Sequence, residues 1–314
     1  MVAVGVVVAL SLPGGGGSGA SGGGHKNKAK PSTTVQASPG NKARATPVPR
    51  ATPTTRTSAS PLASVTTLAP DQVPGTYPVP EAELRKVEDV PLATLVAGAA
   101  APPSGTTPPQ ALPSSNPALL SAGLPEVLYV GAEYCPYCAA ERWVLVEALS
   151  KFGTFGPLRG TTSSSTDIYP STPTFSFYHA RYTSKYLVFV PVEAEANNGA
   201  PIQQLTAAQS KLVKDFDRPP YISASYAGSI PFIYLGGRYL QLGAQYEASA
   251  ISATPMSQAV AYLTSGTNAS SRGLEAAAGD LVGDICALTH GQPAAVCAHV
   301  PKALIGITTS SRHN

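Results

Sequence analysis

The sequence predicts an α/β fold, a mixed central sheet flanked by helices, and three observations carry that prediction. The apolar run Val127-Leu128-Tyr129-Val130 reads as a buried strand, and soon after it Trp143, Val144, Val146 and Leu149 recur at helical spacing. Ser229–Leu240 reads as a hairpin, because a proline opens a run rich in β-branched and aromatic residues and Gly236-Gly237 turns it. Between these, Gln203–Phe216 has Leu205, Leu212, Val213 and Phe216 on a helical pattern and is stopped by Pro219-Pro220. Strands separated by helices in this way make a sheet covered by helices.

The chain has 314 residues, and composition sets its first quarter apart. Residues 1–12 contain the apolar run Val2–Leu12, which has the length of a signal-peptide core and is shorter than a membrane span. Residues 13–75 are mostly Gly, Ser, Thr, Ala and Pro, with almost nothing to bury, and read as a disordered linker. An apolar start followed by a long spacer suits a domain exported and tethered through its N-terminus; the competing reading is an apolar end with no targeting role. The basic residues lie downstream of the apolar run, where the positive-inside rule disfavours export. An anchor that begins before Met1 would reconcile the two.

Residues 76–117 form a lead-in. Pro80–Val96 has partial helical periodicity, broken at Pro91, and Pro102–Pro117 reads as a second Pro/Ser linker or an irregular wrap. The domain proper spans 118–305, with 306–314 as a tail. Within it Leu158–Thr162 reads as a strand, Thr174–Tyr178 with Lys185–Pro191 as a hairpin, and Leu274–Leu288 as a helix. The stretch around 160–195 is thus a β-rich insertion, placed to form a rim for substrates.

Charge narrows the partners. The net charge is +3, yet seven Lys or Arg fall between Lys26 and Arg56 and the first acid is Asp71. Without those seven, fourteen basic residues face eighteen acidic ones, a balance of about −4. The folded part therefore has no basic surface for nucleic acid. The basic segment suits solvation, or proximity to anionic lipid.

Cys135-Pro136-Tyr137-Cys138 lies where the strand gives way to the helix. Unpaired N–H groups and the positive end of the helix dipole favour thiolate at the first sulfur. Pro136 suits the first turn, where no N–H is needed. Three residues on, Cys138 shares the helix face and can attack a mixed disulfide at Cys135. The pair could instead be half of a zinc site or two inert cysteines, but zinc needs two more ligands at short spacing and the next cysteine is Cys286.

The segment Ala132-Glu133-Tyr134-Cys135-Pro136-Tyr137-Cys138 resembles the active-site segment of thioredoxin-fold proteins. More narrowly, the string from Glu133 to Trp143 (Glu-Tyr-Cys-Pro-Tyr-Cys-Ala-Ala-Glu-Arg-Trp) is similar to a thioredoxin-like family catalogued as domain of unknown function 929. Ser163–Pro170, Thr174–Phe177 and the Cys286–Cys297 stretch add to that likeness, which covers roughly residues 80–300. The resemblance implies a thioredoxin-like fold in which Pro231 is cis and touches the cysteine pair, orienting substrate backbone beside the sulfurs. Glu133, Tyr134, Tyr137 and Ile230, next in sequence to these residues, are candidate proton-handling or rim residues.

Two departures from that pattern stand out. The distance from Cys138 to Pro231 is longer than compact members of the fold need. The position six before the nucleophile, often a buried carboxylate in such enzymes, is Tyr129. Glu133 and Glu141 are close in sequence, but their ordinary reading is a surface or helix-end carboxylate. His179 reads as a hairpin surface residue, and Ser163–Thr166 as a loop from which Asp167 and Tyr169 could line the site.

Cys286 ends a predicted helix and Cys297 lies beyond Gly291-Gln292-Pro293, so the two suit a structural disulfide. Competing readings are a zinc site with His290 and His299, a second redox relay, or free thiols. The combined expectation is an extracytoplasmic thiol–disulfide oxidoreductase, secreted or N-terminally membrane-anchored, with Cys135 as nucleophile and Cys138 as resolving thiol. It needs no cofactor. Its partners would be exported thiol proteins and a redox partner, with the direction of exchange open. The alternatives are a redox-inert cell-surface module and a soft-metal protein binding Cu(I).

Overall fold

The computed structural model describes residues 67–306. The apolar start, the linker up to residue 66 and the tail beyond 306 lie outside the described residues. The linker boundary is corrected by the part that is described. Pro70–Gln72 forms a helical turn, Val73 is buried, and the Tyr178 hydroxyl accepts from the Leu68 N–H at 3.0 Å while donating to its carbonyl at 2.9 Å. Residues 67–75 therefore belong to the packed domain.

After β1 (Tyr77–Pro78), the lead-in forms α1 (Glu81–Glu88) and α2 (Leu92–Ala100). The break falls at Pro91, which has no N–H for the helical ladder and becomes the N-cap of α2. The Pro-rich wrap contributes only β2 (Gln110–Ala111), and β3 (Leu120–Ser121) follows it. Then come β4 (Leu124–Gly131) and α3 (Pro136–Leu149). The insertion supplies β5 (Gly153–Phe155), β6 (Arg159–Thr162), β7 (Pro173–Ser176) and β8 (Tyr182–Ser184). β9 (Val188–Glu193) returns to the central sheet, and α4 (Ala207–Phe216) opens on a Thr206/Gln209 capping box. The expected hairpin is β10 (Phe232–Leu235) with β11 (Tyr239–Leu242). Helices α5 (Met256–Leu263), α6 (Ala269–Leu288) and α7 (Ala294–Cys297) complete the domain.

The central sheet is mixed. β4 runs parallel to β9 and antiparallel to β10, with β11 and β2 beyond, and β3 pairs with the first residues of β4. A parallel pair bridged by a helix, followed by an antiparallel hairpin, agrees with the predicted α/β, thioredoxin-like arrangement. Alternation along β4 sorts its side chains. Val127 and Tyr129 join the core under α3 and α6, while Leu128 and Val130 face the smaller core closed by Leu212, Val213 and Phe216 of α4.

One strand pairing differs from expectation. Thr174–Tyr178 and Lys185–Pro191 do not form a hairpin with each other: β7 pairs with β6, and β9 pairs with β4. Alternation marks a strand without naming its partner, and the helical crossover from β4 puts a parallel strand beside it. The β6–β7 hairpin instead lies on α3. The Trp143 indole N–H donates to the Pro173 carbonyl at 3.0 Å, and the Thr174 hydroxyl donates to the Ala139 carbonyl at 2.8 Å.

Candidate functional site

The site is built where β4 ends and α3 begins. Cys135 is the N-cap of α3 and Pro136 its first residue; the Cys138 N–H donates to Cys135 Sγ at 3.1 Å. Both cysteines are free and buried, Cys135 at 3% and Cys138 at 0% exposure. Antiparallel pairing sets Phe232 opposite Val130 and so carries Pro231 to the end of β4. The Ile230–Pro231 peptide is cis, and Cys135 Sγ donates to the Ile230 carbonyl oxygen at 3.6 Å. Thus Cys135, Cys138, Ile230 and Pro231 meet at one place.

Behind the sulfurs lies a charged interior. Arg142 follows Cys138 by one turn and is fully buried. Its Nε and one terminal nitrogen each hold an oxygen of Glu193 at 2.8 Å, and that terminal nitrogen also donates to the Ala132 carbonyl at 2.7 Å. Strand register puts Glu193 opposite Gly131. Glu133 lies 3.9 Å from Arg142 and accepts from the Ser176 hydroxyl. Burial, then the charge of Glu193, push Glu133 up to about 8 against the opposing pull of Arg142. Burial pushes Glu193 upward as well, countered by its two bonds to Arg142. Burial and the adjoining Cys135 push the Cys138 thiol well above its ordinary range.

Several sequence readings change here. Glu133 and Glu141 are fully buried rather than surface carboxylates. Glu141 accepts from the Gln245 N–H at 3.0 Å, and burial pushes it up to about 8. Arg142 and Glu193 were not singled out from the sequence. The signal for Arg142 was its position four residues after Cys138, on one helix face. Glu193 gave only an acid at the end of an apolar run. Tyr129 is fully buried, its hydroxyl beside the Glu193 carboxyl, whose pKa it lowers.

The insertion forms the rim. The Ser164 N–H donates to the Tyr134 carbonyl at 2.7 Å, and Tyr137 meets Tyr169 edge-on with centroids 5.9 Å apart. Tyr134 lines a polar cleft of about 820 Å³ together with Ser163, Asp167, Glu195 and Asn197. Burial pushes both Tyr134 and Tyr137 up to about 12, which keeps these phenols neutral. His179 is exposed, at a positive φ of 52°, packed against Tyr178.

Cys286 and Cys297 form a disulfide with Cα atoms 5.5 Å apart, tying the end of α6 to α7. Sulfurs bonded to each other cannot serve the zinc reading of this pair. Among the described residues no group of three or more His, Cys, Asp or Glu could hold a metal ion.

A family model, Domain of unknown function (DUF929), matches residues 110–286, more than half of the chain. No curated protein and no solved structure matches it.

Proposed function

This chain belongs to the DUF929 family, whose description names no activity, and from the geometry of its own site we propose that it is a thiol–disulfide oxidoreductase. One observation carries the reading: Cys135 Sγ caps a helix N-terminus, receives the Cys138 N–H, and sits 3.6 Å from the Ile230 carbonyl. In the exchange, the Cys135 thiolate attacks a substrate disulfide and the first substrate sulfur leaves as thiolate. The Cys138 thiolate then attacks Cys135 Sγ, the Cys135–substrate bond breaks, and the second substrate thiolate departs as Cys135–Cys138 closes. Run backwards, the same steps oxidise substrate thiols. The rim of Tyr134, Tyr137 and Tyr169 is where a substrate chain would approach.

A structural disulfide suits an oxidising compartment, so the protein is read as acting outside the cytoplasm on exported thiol proteins. No helix among the described residues is long and apolar enough to cross a membrane, and membrane attachment would fall to the apolar N-terminal segment. The direct test is Cys138→Ala in the full-length chain, expressed with its natural exported partners. Mixed disulfides that depend on Cys135 and disappear with reductant are expected. Absence of any such adduct, with Cys135 present and accessible to small disulfides, would rule out exchange.

A further inference from the structure

The exchange requires Cys138 to lose its proton inside the protein, because Cys138 is fully buried. The titratable and charged groups that face Cys138 or Tyr129 are Cys135 at the N-cap of α3, Arg142 on α3, Glu193 on β9, and these two residues themselves. Arg142 is a permanent cation and can accept nothing. Glu193 is a carboxylate held by it at both oxygens. The Tyr129 hydroxyl is different: it is fully buried beside the Glu193 carboxyl, and a phenol O–H can give a proton on one side while its oxygen takes one on the other.

The space beside Gly131 shows where that hydroxyl lies. A methyl group added at Gly131 would fall 2.2 Å from the Tyr129 hydroxyl oxygen and 3.1 Å from Cys138 Sγ. Phenol oxygen and sulfur thus border the same small gap, which the missing side chain keeps open. On the other side the hydroxyl faces Glu193 closely enough to lower the pKa of that carboxyl, and Glu193 stands opposite Gly131 in the sheet.

Building on the exchange reading, we propose that Tyr129 relays the Cys138 proton to Glu193. The Cys138 S–H gives its proton to the phenol oxygen while the phenol O–H passes its own to a Glu193 oxygen. The products are a Cys138 thiolate, a neutral Glu193 and an unchanged Tyr129. Arg142 remains a cation, and its field favours the new thiolate. When the Cys135–Cys138 bond is opened instead, the same path returns the proton to the Cys138 sulfur.

The test uses closure of a Cys135–glutathione mixed disulfide by Cys138, followed against pH in the full-length protein and in Tyr129→Phe. Loss of the hydroxyl should slow closure roughly ten- to hundredfold at neutral pH, the effect of removing a hydrogen bond to a charged group. The inflection should also move to higher pH, with thermal stability little changed. In the unsubstituted protein the ¹³Cζ resonance of Tyr129 should shift in step with the titration of Cys138, a readout that does not depend on the variant folding. Equal closure rates and profiles, or a Tyr129 resonance that ignores the Cys138 titration, would overturn the relay. Slow closure in Tyr129→Phe without any protein trapped by Cys138→Ala would support the relay while counting against the exchange reading.

Discussion

Glu141 shows what burial does to a single carboxyl. It lies on α3 with no exposure, and one oxygen receives only the Gln245 N–H while the other has no partner among the described residues. Burial raises its pKa from an ordinary 4.5 to about 8. The sign follows directly. Below 4.5 the group is neutral in both folded and unfolded chains, and its burial is harmless. As pH rises towards 8 only the unfolded chain ionises, so stability is progressively lost and the loss levels off above 8. Glu141→Gln removes that dependence. Between about pH 5 and about pH 8, urea melts should show the variant gaining on the parent by a few kcal/mol. A constant difference across that range would mean that Glu141 is ionised in the folded protein. The same residue explains a failure of sequence reading. Glu133, Glu141, Arg142 and Glu193 carry charge in a local window, and charge in a window reads as solvent. Glu141 and Arg142 are buried by a helix enclosed on all sides, and Glu133 and Glu193 by the strand ends packed behind it, which no local pattern announces.

At the scale of elements, the site depends on α3 being held rigidly between the sheet and α6. Nearly every residue of α3 is buried, with Trp143 packed 4.8 Å from Phe175. α6 in turn packs against α2 at close range through small residues. A methyl at Gly279 would meet the Leu95 carbonyl oxygen at 2.1 Å, and one at Gly98 would lie 2.8 Å from the Ala276 nitrogen. Backbone cannot yield as a flexible side chain would. Gly279→Ala should therefore destabilise the protein by roughly 1–3 kcal/mol, although alanine in a helix is worth about 1 kcal/mol over glycine. Equilibrium denaturation decides the sign, and a stabilised variant would mean that the two helices are not in close contact. The elements themselves were largely legible. β4, β10, β11 and α6 follow from apolar runs punctuated by glycine and proline, and the α1–α2 break from Pro91. The partner of β9 was not, because Val188–Glu193 would look the same beside β7 as beside β4.

At the scale of the whole molecule, chain order brings distant segments to one point. Cys135 and Ile230 are ninety-five positions apart and meet because β4 and β10 are adjacent strands. The sequence pattern made the cysteine pair and the proline hairpin visible as separate features. The interior of Arg142, Glu193 and Tyr129 that joins them became visible only through the parallel pairing of β4 and β9. The account rests on that assembly forming an exchangeable disulfide. The measurement that tests it most directly is the reduction potential of the Cys135–Cys138 couple, equilibrated against glutathione in the full-length chain. The account predicts a value between roughly −120 and −270 mV, the span of exchange enzymes. A value below about −300 mV would contradict it and leave Cys135–Cys138 a structural bond.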